Sequence, residues 1–224
     1  MHERWKPLSL FHLMYPDGDP LGKLLAIFSS SPLVIGSGIA TLAIFRRDLQ
    51  TISLFIGLLL NESVNTVIKQ SIQQPRPDVP YDCKLHTSGM PSSHSQFAGF
   101  FCLYSVLHII FRLYRGLKRP VLRLTLCLFS ISLCVLTCYS RSYLRYHSGS
   151  QILVGVSIGA ILGFLWYLLI NVILSPNFVR ICDSSVGRFL MLRDFTRIPD
   201  VFLFEYTSSL NHNRRLEDMA AHTH

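Results

Sequence analysis

Five apolar runs, over residues 21–45, 51–68, 95–111, 121–138 and 151–174, constrain this chain more than any other feature. An α-helix needs about 17–25 mostly apolar residues to cross a bilayer core, and a helix satisfies its own backbone polar groups there. The expected fold class is therefore all-α: a polytopic membrane protein, a bundle of about five to six transmembrane helices. Composition agrees, with 50% apolar residues, 15% charged residues and a mean hydropathy of +0.36, where soluble domains carry about a quarter charged residues. A net charge of +8 would suggest nucleic acid in a soluble protein. Here the arginines and lysines cluster between the apolar runs, which points to membrane topology and an anionic substrate, not to nucleic acid.

These runs divide the chain into an N-terminal interfacial segment (1–20), a transmembrane domain (21–174) and a C-terminal tail (175–224). Residues 1–20 lack the apolar core and small-residue cleavage site of a signal peptide, so the first run itself directs insertion. Prolines 75, 77, 80 and 91 keep 70–93 from forming one helix. Gly155, Gly159 and Gly163 give the last run a small-residue face for close helix approach. Cys102, Cys127, Cys134 and Cys138 lie inside apolar runs, where cysteine packs as a small hydrophobe. Cys83 stands in a polar loop. Asn61, Asn65 and Lys69 recur every four residues beside Glu62 and form a polar stripe on one helix face. For Asn61 and Asn65 the expectation is interhelical hydrogen bonding; Lys69 belongs to the constellation below.

The alternation of the spans sets which loops share a side, and charge counting sets which side is cytosolic. With five spans, the loops at 46–50 and 112–120 and the tail hold twelve Lys/Arg, while the other side holds seven. The first group is expected to be cytosolic. Loops 69–94 and 139–150 then share the lumenal or exterior face, which is where the active site is expected. A sixth span would move the N-terminus but leave those two loops together.

Those loops carry three short patterns: Lys69-x6-Arg76-Pro77, Pro91-Ser92-Ser93-His94, and Ser140-Arg141-x5-His147. The second opens an apolar helix, with Pro91 suited to the first turn, and a helix N-terminus offers unpaired N–H groups to an anion. In order and spacing the three together resemble the type 2 phosphatidic acid phosphatase superfamily of membrane lipid phosphatases, which is related to the vanadium haloperoxidases. The resemblance implies that Lys69, Arg76 and Arg141, with Ser92 and Ser93, bind phosphate, and charge developing on a transferring phosphoryl group needs such donors. It implies that His147 is a nucleophile forming a phosphohistidine and His94 the general acid. No metal or cofactor is implied, and no carboxylate cluster suited to magnesium is present. Lys84 and Arg145 read as headgroup anchors, and His86 as a loop histidine.

Two positions depart from the common pattern: Ser93 replaces a glycine, and Gln151 replaces an aspartate. Gln151 can still orient His147 through its amide oxygen, without charge assistance. On that reading Gln151→Asp retains or raises activity. Gln151 also matches the dolichyl-diphosphate phosphatases of the endoplasmic reticulum, as do Tyr15-Pro16-Asp17-Gly18-Asp19, Leu60-Asn61-Glu62, and a tail from Leu192-Arg193-Asp194 through Ile198-Pro199 to Phe204-Glu205-Tyr206. This group implies hydrolysis of an isoprenoid lipid diphosphate at the lumenal face, recycling the carrier used in protein N-glycosylation. A broader lipid phosphatase, or a non-catalytic lipid-binding scaffold, are the alternative readings. Protein partners are not legible.

Overall fold

A computed structural model describes residues 5–8, 13–77, 88–112, 120–198 and 200–221. Pro80, Cys83, Lys84, His86, Arg115, Lys118 and Arg119 lie outside the described residues. Among the described residues, five helical segments are long and apolar enough to cross a membrane: Pro20–Arg46, Leu49–Ile72, Ser93–Phe111, Pro120–Tyr143 and Gly149–Asp183. The protein is an all-α, multi-span membrane bundle.

The first span is broken, where the sequence suggested one continuous run. Helices α1 (Pro20–Ser29) and α2 (Ser31–Arg46) meet at Ser30. The Ser30 hydroxyl donates to the Ile27 carbonyl at 2.6 Å, and Pro32, in the first turn of α2, has no N–H to continue the ladder. Then come α3 (Leu49–Ile72), α4 (Ser93–Phe111), α5 (Pro120–Tyr143) and α6 (Gly149–Leu168). The fifth span continues past α6 through a π-helical turn (Leu169–Leu174) and a 3-10 turn (Ser175–Asn177) into α7 (Phe178–Asp183).

α4 is the central helix, packed chiefly on α6 and next on α5. The glycine face does what its spacing suggests. A Cβ on Gly155 would come within 2.7 Å of the Ser92 carbonyl and one on Gly163 within 2.6 Å of the Phe100 carbonyl, while one on Gly159 would overlap the Gln96 carbonyl. Ile39, Leu58, Phe100, Tyr104 and Tyr167 fill the core beside this seam. Polarity runs outward to inward against the soluble rule. Phe45, Val121 and Leu153 are exposed, whereas Asn61, Asn65, Gln96 and Thr137 are buried, an arrangement suited to hydrocarbon. Asn65 Nδ2 donates to Gln96 Oε1 at 2.8 Å, and Gln96 Nε2 donates to Asn61 Oδ1 at 3.1 Å and its carbonyl at 2.8 Å. Asn61 and Asn65 thus make the expected interhelical bonds, with Gln96 as a partner the pattern did not reveal. Cys102 of α4 and Cys134 and Cys138 of α5 are part-buried free thiols.

Each end of the bundle is tied separately. At one end Asn171 Oδ1, in the π-helical turn, accepts from Arg112 Nε at 3.0 Å and Gln50 Nε2 at 3.3 Å. The tail docks there: Arg193 N–H donates to the Arg47 carbonyl at 2.9 Å, and Leu49 N–H to the Arg193 carbonyl at 3.0 Å. Glu205 of α9 (Val201–Ala221) pairs with Arg46 at 2.8 Å. Between the fifth span and α9 lies one short helix, α8 (Ser185–Phe189). At the other end, β1 (Trp5–Leu8) and β2 (Leu13–Pro16) form an antiparallel hairpin, with Trp5 opposite Pro16 and Leu8 opposite Leu13. Trp5, Leu13 and Tyr15 pack on Ala26, Leu144 and Tyr146. Asp19 caps α1 through Leu21 N–H at 3.0 Å and accepts from Tyr143 Oη at 2.8 Å.

Candidate active site

The hairpin end gathers all three sequence patterns. Lys69 lies in the last turn of α3, which Gln73 ends in left-handed backbone (φ 49°), its N–H returning to the Lys69 carbonyl at 3.1 Å. The chain then passes Gln74 and Pro75 to Arg76. Gly89 N–H donates to the Gln74 carbonyl at 2.7 Å, so the segment entering α4 lies against the one leaving α3.

Ser92 is the N-cap of α4. Its hydroxyl oxygen accepts from the Ser95 hydroxyl at 3.0 Å and from Ser95 N–H at 3.5 Å. Pro91 therefore precedes the cap and does not occupy the first helical turn, because a serine side chain can satisfy an N3 amide and proline cannot. Ser92 is fully buried, and its N–H goes to the Gln151 carbonyl at 3.1 Å. Ser93 and His94 form the first turn and are part-exposed; a helix offers no internal acceptor for N–H groups at that position.

The third pattern is a closed turn. The carbonyl of Arg141, in the last turn of α5, accepts from Tyr146 N–H at 3.1 Å and His147 N–H at 3.2 Å, with Arg145 left-handed at φ 56°. Left-handed backbone costs a non-glycine residue about 1–2 kcal/mol, offset here by two hydrogen bonds to one carbonyl. That geometry is the physical content of the six-residue step from Arg141 to His147. The Arg141 guanidinium is buried, donates from Nη1 to Ser29 Oγ at 2.6 Å, and stacks 4.0 Å above the Tyr146 ring. Tyr146 Oη in turn accepts from Met14 N–H of β2 at 2.9 Å. The break between α1 and α2 thus delivers Ser29 to Arg141, and the hairpin braces the ring beneath it.

His147 is 3% exposed. Its Nδ1 lies 2.9 Å from the Gly89 carbonyl and 3.2 Å from Gln151 Oε1. Both are acceptors, since Gln151 Oε1 also takes Ser148 N–H at 3.2 Å while Gln151 Nε2 donates to the Pro75 carbonyl at 2.9 Å. Nδ1 therefore carries the proton and Nε2 keeps its lone pair. Burial and the nearby Arg141, Arg76 and Lys69 push the His147 pKa down to about 3, so the ring is neutral at physiological pH. The same three cations act on His94 as well. A field of three cations around two imidazoles can hold an anion and offer it one free nitrogen lone pair. Within a turn or so of these residues, Val67, Ile72 and Leu153 are exposed, so the polar centre adjoins an apolar flank.

Sequence reasoning missed two members of this assembly, Ser29 and Gly89. Ser29 was signalled by Ser29-Ser30-Ser31-Pro32, a polar interruption of an apolar run. Gln151, expected beside His147, also closes the Ser148-x-x-Gln151 capping box. Gly89 contributes only a backbone carbonyl, which no side-chain pattern encodes.

Comparison with known proteins places the chain in a family. The PAP2 superfamily matches residues 50–174. Human dolichyldiphosphatase 1 is 43% identical over 208 residues, covering 91% of this chain and 87% of that protein. Lipid phosphate phosphatase gamma of Arabidopsis thaliana is 38% identical over 214 residues, covering 92% of each. The crystal structure of a transmembrane PAP2-type phosphatidylglycerolphosphate phosphatase from Bacillus subtilis shares the fold, with a TM-score of 0.56 and 23% identity over 70% of this chain and 80% of that one. The matched region contains every residue from Lys69 to Gln151 that converges at the hairpin end, and the chain belongs to the PAP2 superfamily.

Proposed function

We propose that this protein hydrolyses dolichyl diphosphate to dolichyl phosphate and inorganic phosphate at the lumenal face of the endoplasmic reticulum membrane, recycling the carrier released by protein N-glycosylation. The observation that carries the chemistry is the Gly89 carbonyl on His147 Nδ1, which leaves Nε2 unprotonated on a ring that feels the charge of three cations. The substrate class rests on 43% identity to a dolichyldiphosphatase over nearly the whole chain, and the exposed apolar flank suits a lipid that stays in the bilayer.

In this reading Lys69, Arg76 and Arg141 hold the terminal phosphate, with Ser93 and His94 N–H groups at the α4 start as further donors. Ser92, committed to its cap, shapes that helix start. Nε2 of His147 attacks the terminal phosphorus while the bond to the bridging oxygen breaks. His94 gives its proton to that oxygen, dolichyl phosphate leaves, and a water deprotonated by His94 then cleaves the phosphorus–nitrogen bond. A broader specificity is the second reading, favoured by the 38% identity to a protein named lipid phosphate phosphatase.

Purified protein in detergent, given dolichyl diphosphate, other isoprenoid diphosphates and phosphatidate side by side, separates these. The proposal expects the highest kcat/KM on dolichyl diphosphate. Preference for phosphatidate sinks the substrate assignment, and no turnover on any lipid phosphate favours a lipid-binding scaffold.

A further inference from the structure

Gln151 does more than face His147. It is 2% exposed and holds all three site segments at once. Its main-chain carbonyl accepts from Ser92 N–H at 3.1 Å. Its Oε1 accepts from Ser148 N–H at 3.2 Å, and its Nε2 donates to the Pro75 carbonyl at 2.9 Å, with Gln74 Oε1 at 3.4 Å. The amide orientation follows from its partners, because a proline carbonyl only accepts and a backbone N–H only donates. For His147 the nearer acceptor is the Gly89 carbonyl, at 2.9 Å against 3.2 Å. Gly89 and Gln151 are fitted together: a Cβ on Gly89 would lie 2.6 Å from Gln151 Nε2.

We infer that Gln151 is a positioning residue whose amide N–H, bonded to the Pro75 carbonyl, sets the adjoining Arg76 against His147, while the Gly89 carbonyl orients the imidazole. This rests on the reading of the site as a phosphate-binding centre. It reverses the expectation from sequence that a carboxylate here would serve as well. A carboxylate could keep Ser148 N–H and His147, but it has nothing to donate to Pro75 and would press against two oxygen acceptors.

The test uses full-length wild type, Gln151→Glu, Arg76→Ala and the double variant, each monodisperse in detergent. Read out are kcat and KM on dolichyl diphosphate, and the affinity for inorganic diphosphate by calorimetry. Gln151→Glu is expected to raise KM and weaken inorganic diphosphate binding about tenfold, with a smaller change in kcat. That loss should vanish in the Arg76→Ala background. It should also shrink as the pH is lowered towards 5, where a protonated glutamic acid regains a donor for Pro75. A Gln151→Glu protein as good as wild type, or a loss that is the same with and without Arg76, overturns the inference. Where the glutamate variant does not fold, Gln151→Met, of matching length and without a donor, is expected to show the same dependence on Arg76; independence again overturns it. Wild type that binds inorganic diphosphate but turns over no lipid diphosphate ends the hydrolysis reading alone, with affinity still deciding the role of Gln151. Wild type that binds no inorganic diphosphate overturns both.

Discussion

An imidazole attacks phosphorus only through an unprotonated nitrogen, and two separate features of His147 supply one. The Gly89 carbonyl accepts a hydrogen bond from Nδ1–H and so fixes the proton there, and burial among Arg141, Arg76 and Lys69 pushes the pKa down to about 3. The sign is that of a base depressed from its ordinary value near 6.5: the ring stays neutral as pH falls through 6.5, and protonation is resisted down to about pH 3. In the substrate-free protein, NMR of labelled histidine, assigned by loss of a signal in His147→Gln, should show one ring that remains neutral from pH 8 to pH 5. A His147 titration with a midpoint near 6.5 contradicts the described electrostatics. Arg141 is placed as firmly, by Ser29 Oγ at 2.6 Å and by the Tyr146 ring. Ser29→Ala removes a hydrogen bond to a charged donor, worth about 1.5–3 kcal/mol. It should lower kcat/KM by about tenfold or more, read from initial rates at low substrate, while wild-type rates would remove Ser29 from the site.

At the scale of elements, the contact that matters most is α4 on α6, because each helix brings its N-terminal end to the site. Gly159 lets the α6 backbone reach the Gln96 carbonyl, with no room for a Cβ. Overpacking of this kind costs about 1–3 kcal/mol, so Gly159→Ala should lower the unfolding midpoint in detergent by roughly 3–10 °C. Gly36→Ala, where a Cβ meets nothing within 4 Å, should leave it unchanged. Equal midpoints for the two would contradict the described seam. This seam was legible as a four-residue glycine period, and the spans were legible because hydrocarbon demands long apolar helices. Other elements were not. The break at Ser30 had only the local signal Ser29-Ser30-Ser31-Pro32 in a run that stays apolar on average, and the hairpin depends on packing against Leu144 and Tyr146, far along the chain. The tail motif had no account from sequence because its role is backbone pairing of Arg193 with Arg47 and Leu49.

For the whole molecule, the two ends of the bundle carry different tasks. One end holds Lys69, Arg76, His94, Arg141, His147 and Gln151; the other holds the Arg112–Asn171 network and the docked tail. That the patterned loops share an end was readable from the alternation of the spans alone, whereas the bonds joining them run through carbonyls of Gly89, Pro75 and Gln151 that no residue pattern announces. The orientation proposed here puts the first end in the lumen. In sealed microsomes, with Cys83 replaced by serine, an impermeant thiol reagent should modify Ser208→Cys directly and Ser150→Cys only after permeabilisation; the reverse order would invert the topology. The central claim, that His147 is the nucleophile of a phosphoryl transfer, meets its most direct test in rapid acid-free quenching of the protein with dolichyl diphosphate labelled at the terminal phosphate. The account predicts a base-stable, acid-labile label that maps to His147, is absent from His147→Ala and accumulates in a variant slowed at His94. Turnover of the same substrate by His147→Ala at the wild-type rate, or label on another residue, would contradict it.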